Sequence, residues 1–213
     1  MHIGRVDPQP LSLNDFIRPL FLVRKIPVLL AAIAYAMVFL FASVMNVVEI
    51  PQLLQEKFEL NAQQLGLQFL GVIIGTLLGE LMGGVISDLW MLWRGRHIGH
   101  RPAPEFRLWL SYIGFVLTMV GTIVFLVCTE KSRPGEWTVV PLVGTGIASF
   151  GNQVVTTVLI TYSVDNHPED AGSVGVFINF ARLIWGFIGP FWYVILGNIY
   201  IYIYMCVCVS HDG

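Results

Sequence analysis

Five long stretches without a charged residue limit the possible folds of this chain more than any other feature. No Asp, Glu, Lys or Arg occurs in residues 26–48, 60–79, 108–129, 137–164 or 183–211. Each stretch reaches the roughly 20 residues that a helix needs to cross a bilayer. Only 12% of the residues are charged, against about a quarter in a soluble domain. The sequence therefore predicts an all-α membrane protein, because helices satisfy their own backbone hydrogen bonds in lipid.

The breaks between these stretches predict the layout of the chain. Residues 1–25 form a polar entry segment. Pro51 is expected to end the first helix, because proline lacks the backbone N–H that a helix interior needs. Residues 52–61 are expected to lie at the membrane interface. About five transmembrane helices are predicted, at 26–50, 62–91, 108–129, 137–163 and 171–197, followed by an atypical tail at 198–213.

Lys and Arg are concentrated on one side of this predicted layout. Eight of them lie in the entry segment and the 93–107 loop, and three lie in the loops on the other side. Short loops rich in Lys and Arg stay in the cytoplasm. The entry segment and the 93–107 loop are therefore predicted to be cytoplasmic.

The remaining composition excludes several classes of protein. The net charge is −2 and no basic run is present, so nucleic acid is not an expected partner. Three cysteines make no disulfide framework. The sequence contains no nucleophile–base pair, phosphate-binding loop or Cys/His ligand cluster. The chain is accordingly predicted not to be an enzyme and to need no cofactor or metal.

Glycine occurs at every fourth position of the stretch GVIIGTLLGELMGG in the second predicted helix. Gly71, Gly75, Gly79 and Gly83 share one face, here called the glycine ladder. Small residues let helices approach closely in lipid, so the ladder is predicted to pack against a neighbouring helix. Glu80 lies in the same run, and an ionisable residue within the membrane is a candidate functional group. The alternative for Glu80 is a protonated acid bonded to another helix. A glycine groove beside a buried acid indicates a helix that moves, in a transporter or a channel.

The end of the same helix carries a more specific pattern. Gly84 and Asp88 are followed by Arg94 and Arg96, which resembles the G-x-x-x-D…R-x-R signature of the major facilitator superfamily. An aspartate at a helix end, with arginines after the turn, is expected to form a charge clamp that holds one conformation. Five residues separate Asp88 from Arg94 here, more than in the usual motif.

Two further stretches extend the resemblance. They are PEFRLWL at 104–110 and YSVDNHPEDAGSVGVFINFARLIWGFIGPFW at 162–192. Both resemble the C-terminal half of fungal drug/polyamine:proton antiporters of that superfamily. The resemblance implies that residues 26–197 are a partial C-terminal half, equivalent to helices seven to eleven of a twelve-helix fold. It also implies a central cavity and alternating access between two halves.

Several aromatic and polar residues are predicted to contact a carried molecule or a proton. In the first helix Tyr35, Phe39 and Asn46 share a stripe that suits an organic cation, with ordinary helix packing as the alternative. In the fourth helix Asn152 and Gln153 form a polar middle that is predicted to contact the carried molecule. The alternative is that these buried amides hydrogen-bond across helices. The predicted substrate- or proton-binding residues are Glu80, Tyr35, Asn46, Asn152, Gln153, Asn179 and Arg182.

Arg182 has two interpretations. If the last helix begins at Ala171, Arg182 lies within the membrane and needs a partner, with Asp165, Glu80 and Asp88 as the candidate acids. If the bilayer segment is 183–205, Arg182 extends to the cytoplasmic edge of the membrane. The resemblance favours the first interpretation.

The last residues depart from the pattern of a membrane helix. Ile199 to Val209 can be encoded by an AT dinucleotide repeat followed by a GT repeat. We expect that the tail is a non-native translation of an unspliced intron or a non-coding repeat, with a real membrane tail as the alternative. On this expectation the chain is truncated, because six earlier helices and a twelfth helix of the family are absent from the sequence.

Together these observations predict transmembrane transport of a small organic molecule, a drug or polyamine-like cation, by alternating access and coupled to protons in the intact relative. The expected partners are the lipid bilayer, the substrate, a proton and a missing N-terminal half. The expected location is the plasma membrane, with the vacuole or another internal membrane as the alternative. The alternative function is a non-transporting membrane fragment, or a half-transporter that needs a partner chain.

Overall fold

The computed structural model describes residues 19–99, 103–133, 135 and 137–209. Within these residues the chain is α-helical and contains no β-strand. Five of the helical segments are long and apolar enough to span a membrane. The predicted fold class, an all-α membrane protein with about five spans, is therefore confirmed. Residues 1–18, most of the predicted entry segment, and residues 210–213 of the tail lie outside the described residues.

The first span is interrupted but does not end at Pro51. Helix α1 covers Ile26–Phe39, a single π-helical segment covers Leu40–Val44, and helix α2 covers Met45–Phe58 with Pro51 inside it. The prediction that Pro51 ends the helix was wrong. Neighbouring helices and local backbone adjustments let a membrane helix accept the missing N–H of a proline. Residues 52–58 of this predicted interfacial stretch are consequently the last part of α2, and their place at the membrane interface stays a prediction.

The second span, helix α3, is longer than predicted. It covers Ala62–Ile98, about 55 Å at 1.5 Å per residue, whereas the sequence predicted an end at residue 91. Its start is fixed by a capping box in which Asn61 and Gln64 bond each other's backbone. Its end is Gly99, whose φ of 75° belongs to the left-handed region where glycine is favoured.

The three remaining helices follow the predicted order. Helix α4 covers Leu108–Lys131 after a 3-10 turn at Pro104–Arg107. Helix α5 covers Val140–Asn166, three residues later than predicted at each end. Helix α6 covers Ala171–Val209, so the backbone remains helical beyond the predicted end at residue 197. Non-native translation of the tail stays a prediction.

Helix α5 lies at the centre of the bundle. Of its most apolar 18 consecutive residues 61% are buried, whereas 17% are buried in the corresponding 18 residues of α3. It packs against α3 and α4 on two sides and against α1 and α6 on a third. Because α3 leaves most of its surface uncovered, that surface faces either lipid or protein outside this chain. The candidate site is therefore built on faces of α3, α5, α6 and α1.

Candidate functional site

The glycine ladder of α3 packs directly on α5. A Cβ atom added at Gly71 would lie 2.5 Å from the carbonyl oxygen of Leu142, and one at Gly79 would lie 2.8 Å from that of Phe150. Real Cβ atoms do not approach backbone so closely, so only glycine permits this helix separation. The remaining ladder contacts are Gly75 with Gly146 and Gly83 with Val154.

Helix α4 packs on α5 by the same principle. A Cβ at Gly114 would lie 3.0 Å from the carbonyl oxygen of Gly151, and one at Gly121 would collide with Ala148. Glycines therefore line two faces of α5. The third face of α5 carries buried polar side chains, namely Thr145, Ser149, Asn152 and Thr156.

Glu80 lies at the edge of the groove between α3 and α5. It is the central residue of α3, with eighteen residues on either side, and its side chain is exposed. Its Oε2 accepts a hydrogen bond from Nε2 of Gln153 and lies 3.5 Å from the hydroxyl of Thr157. The structure thus brings together two predicted site residues, Glu80 and Gln153. Thr157 was not predicted, although its spacing of four from Gln153 places both on one face of α5.

A buried polar seam joins the π-helical segment to α5. Nδ2 of Asn152 donates a hydrogen bond to Oγ of Ser43 at 3.2 Å. The side-chain amide of Asn46, in α2, donates to the carbonyl oxygen of Ala42 in the π-helical segment, and Asn46 is only 2% exposed. Asn46 therefore donates a hydrogen bond to the backbone of that segment and does not line an open space. Oδ1 of Asn152 and Oγ of Ser149 are buried and have no hydrogen-bond partner among the residues that the structure describes.

Arg182 contacts two aromatic side chains of α1. Its Nη1 donates a hydrogen bond to the hydroxyl of Tyr35 at 2.9 Å. Its Cζ lies 4.9 Å from the ring centroid of Phe39 and 5.9 Å from that of Tyr35. These are the rings that the sequence assigned to an organic cation, and the guanidinium of the chain itself occupies them. The expected acid partner of Arg182 is replaced by a phenol and a ring face.

The other candidate partners of Arg182 are bound elsewhere. Asp88 and Asp165 both pair with Arg107, at 3.4 Å and 3.6 Å from its Nη2. Arg107 comes from the 3-10 turn that precedes α4, so this cluster ties α3, α4 and α5 together at one end of the bundle. We call it the arginine-rich end. From its place in the sequence, Arg107 was predicted only to be one of the cytoplasmic charges of the 93–107 loop. Its position directly before the charge-free stretch 108–129 marks it as a residue at the end of a helix.

The predicted clamp residues are arranged differently from the expectation. Helix α3 continues to Ile98, so Asp88 and the arginines after it stand on one helix with no turn between them. Arg94 lies over the ring of Phe106, at 4.8 Å from its centroid, and Arg96 is exposed. A Cβ at Gly84 would meet nothing within 4 Å. Asp88 is therefore bridged to Arg107 and not to Arg94 or Arg96.

A second charged group closes the same end of the bundle. Nζ of Lys25, just before α1, lies 3.3 Å from Oδ2 of Asp170 and 3.3 Å from Nδ1 of His167. This group links α1 to the short connection between α5 and α6. Among the described residues, no set of three His, Cys, Asp or Glu side chains is placed to hold a metal ion.

Comparison with known proteins decides the family. The family model for the Major Facilitator Superfamily matches residues 5–190. The chain belongs to the major facilitator superfamily. Its five spans and the carboxylates paired with Arg107 are thus those of a major facilitator protein. No solved structure matches this chain.

Several fungal members of the major facilitator superfamily are similar to this chain. The MFS-type transporter penM of Penicillium rubens is 25% identical over 89% of this chain and 37% of its own length. The MFS-type transporter pyvG of Aspergillus violaceofuscus is 33% identical over 61% of this chain and 23% of its own length. The MFS antiporter QDR3 of Candida albicans is 28% identical over 76% of this chain and 23% of its own length. The chain thus spans less than two fifths of the length of these relatives.

Proposed function

We propose that this chain is part of a secondary transporter that moves a small organic molecule across a membrane by alternating access, driven by protons. The observation that supports this proposal is the position of Glu80. Glu80 is an ionisable side chain at the midpoint of a spanning helix, and an acid at that depth costs at least about 2.5 kcal/mol. Its hydrogen bonds to Gln153 and Thr157 connect it to α5. A proton that binds Glu80 would weaken or reorganise these bonds and so bias the packing of α3 on α5.

The glycine ladder supplies the mobile contact in this proposal. A groove free of side chains lets α3 shift along α5 without unlocking interdigitated side chains. The pairs of Arg107 with Asp88 and Asp165 supply the clamp that holds the arginine-rich end closed. Opening that end requires these pairs to separate, which is how a bistable ionic contact gates a conformational change.

The predicted cargo, a drug or polyamine-like cation, draws support from Glu80 alone. A carboxylate inside the membrane is a suitable counter-charge for an ammonium group. The ring faces of Tyr35 and Phe39 give no further support, because Arg182 occupies them. The plasma membrane is the proposed location, and a fluorescent fusion imaged beside a vacuolar marker would test it.

Glu80→Gln in the complete protein is the test of the proposed function. The amide keeps the size and polarity of the side chain but cannot bind or release a proton. We expect pH-gradient-driven transport in sealed vesicles to be lost while the protein is still inserted in the membrane. Glu105→Gln is the matched control, since Glu105 is exposed and lies in the 3-10 turn before α4, away from Glu80 and its partners on α5. Unchanged gradient-driven transport in Glu80→Gln would show that Glu80 is structural.

A half-transporter that needs a partner chain is the second candidate. The observation that favours it is the small buried fraction of α3, 17% of its most apolar window, which leaves a long apolar face for another half to cover. Expression of this chain with and without the N-terminal half of a complete relative would separate the two. Transport that appears only on co-expression identifies a half-transporter, and no transport in either case identifies a non-transporting fragment.

A further inference from the structure

Arg182 lies deep within the last span. Helix α6 begins at Ala171, so Arg182 is eleven residues along it, about 16 Å at 1.5 Å per residue. The hydrocarbon core of a bilayer is about 30 Å thick. The start of α6 lies beside the charged group of Lys25, His167 and Asp170, and Tyr35, the partner of Arg182, lies ten residues beyond Lys25 in the first span. Arg182 therefore lies about half the thickness of the hydrocarbon core away from that charged end, which favours the interpretation within the membrane.

The charge of Arg182 has no acidic partner among the described residues. Its hydrogen bond to Tyr35 uses one of five N–H donors, and its Nε is buried without an acceptor. The acids that could have balanced it are bound to Arg107 or, for Glu80, to Gln153. An intramembrane arginine that retains free donors and a full charge is a functional group by default.

Tyr35 and Phe39 hold the guanidinium in one place. Tyr35 is only 2% exposed, so its hydroxyl is a fixed acceptor, and the ring of Phe39 supports the guanidinium plane at 4.9 Å. Cation–π contacts of this kind stabilise the charge without neutralising it. The result is a preorganised planar donor, the geometry that recognises a carboxylate through two parallel hydrogen bonds.

The face of α6 beside Arg182 is open and polar. A Cβ at Gly172 or Gly175 would meet nothing within 4 Å, and Asn179, three residues before Arg182, is exposed. The neighbouring exposed face, directly beside this stripe, carries large apolar side chains that suit lipid, namely Val176, Phe180, Leu183 and Phe187. A polar, glycine-rich stripe at membrane depth is favourable only where it lines a water-filled cavity or packs on protein.

We infer that Arg182 is a binding residue for an acidic group of the carried molecule, an organic acid held through its carboxylate. The inference rests on the proposed transport of a small organic molecule, and it assigns that molecule an acidic group in place of the cation predicted from the sequence. Glu80 is then the proton site, and Arg182 is the site for the opposite charge. Asn179 lies on the same stripe and can contribute amide donors to the bound acid.

Equilibrium binding by the purified chain in lipid nanodiscs tests this without any gradient. The probes are benzoate, benzylamine and benzyl alcohol, which share a ring and differ in charge, titrated by calorimetry. We expect benzoate to bind more tightly than the other two. Arg182→Gln should weaken benzoate binding about ten- to a hundredfold, as expected for loss of a charged hydrogen-bond donor. Arg182→Lys keeps the charge but not the planar pair of N–H donors, and it should lose part of the affinity for benzoate.

Arg133→Gln is the matched control, because it removes the same charge from an exposed position outside the spans and should leave benzoate binding unchanged. The helical circular dichroism of each variant, with the response of Arg182→Lys, separates a binding defect from misfolding. Equal affinities for the three probes, a preference for benzylamine, absence of benzoate binding, or full benzoate binding by a folded Arg182→Gln variant would each overturn the inference. None of these outcomes affects the Glu80→Gln transport test, so the two proposals fail separately.

Discussion

Nη2 of Arg107 lies 3.4 Å from Oδ1 of Asp88, and this pair joins the start of α4 to α3. The two partners differ in environment, since 11% of the Arg107 side chain is exposed against 70% of the Asp88 side chain. The buried arginine therefore determines what the contact contributes, because an exposed carboxylate is readily solvated when its partner is lost.

We expect Arg107→Gln to lower the free energy of unfolding of the chain by about 1–3 kcal/mol, because Asp88 and Asp165 lose a shared charged donor. Arg96→Gln is the control at the same end of the bundle. Arg96 is exposed, so its change should stay within about 0.5 kcal/mol. Unfolding by SDS in mixed micelles measures both. If Arg96→Gln lowers the free energy of unfolding as much as Arg107→Gln does, Arg96 contributes to the clamp as the sequence pattern indicated.

The glycine ladder can be predicted from the sequence and the ion pairs cannot, for a physical reason. Glycine at every fourth residue indicates that one helix face has no side chains. In lipid such a face is expected to pack closely against another helix. Ion pairs depend on which helices are neighbours and on how far each helix extends. Because α3 runs to Ile98 without a turn, Arg94 and Arg96 are displaced from Asp88, and Arg107 takes their place.

The aromatic stripe of α1 shows the same limit. The spacing of Tyr35 and Phe39 correctly indicates one helix face, but it does not say what covers that face. Arg182, 147 residues from Tyr35 along the chain, reaches both rings in the structure. Local periodicity predicts faces and spans, whereas partners between distant helices require the three-dimensional packing.

Two glycines of α3 provide a matched pair for the packing argument. A Cβ at Gly75 would collide with the carbonyl group of Gly146, whereas a Cβ at Gly84 would meet nothing within 4 Å. We expect Gly75→Ala to lower the free energy of unfolding by about 1–3 kcal/mol, the usual loss when a tight contact is overpacked. Gly84→Ala should instead be neutral or stabilise by up to about 1 kcal/mol through helix propensity. SDS unfolding of the two variants decides this, and equal effects would mean that the groove does not set the helix separation.

Tyr35→Phe removes the acceptor of Arg182 and keeps the ring. We expect the free energy of unfolding to fall by about 1.5–3 kcal/mol, since a hydrogen bond to a charged donor is lost. Tyr162→Phe is the control, because Tyr162 is also buried in the α1–α5–α6 core while its hydroxyl has no hydrogen bond within the described part of the chain. Its loss should stay below about 0.5 kcal/mol. Indistinguishable unfolding curves for the two variants would show that the phenol does not hold the guanidinium.

Lys57 provides a test at the end of the bundle opposite Arg107. Its Nζ donates to the carbonyl oxygens of Thr129 and Glu130 at 2.5 and 2.6 Å, so it caps the C-terminus of α4 from α2. A cation at a helix C-terminus contributes about 0.3–1 kcal/mol. We therefore expect Lys57→Met to speed hydrogen exchange of the last-turn amides of α4 about two- to fivefold. Lys131→Met removes a charge from that same turn, but Lys131 is exposed and makes no such bond within the described residues. Exchange accelerated equally by both variants would assign the effect to the helix dipole; acceleration by Lys57→Met alone assigns it to the two hydrogen bonds that tie α2 to α4.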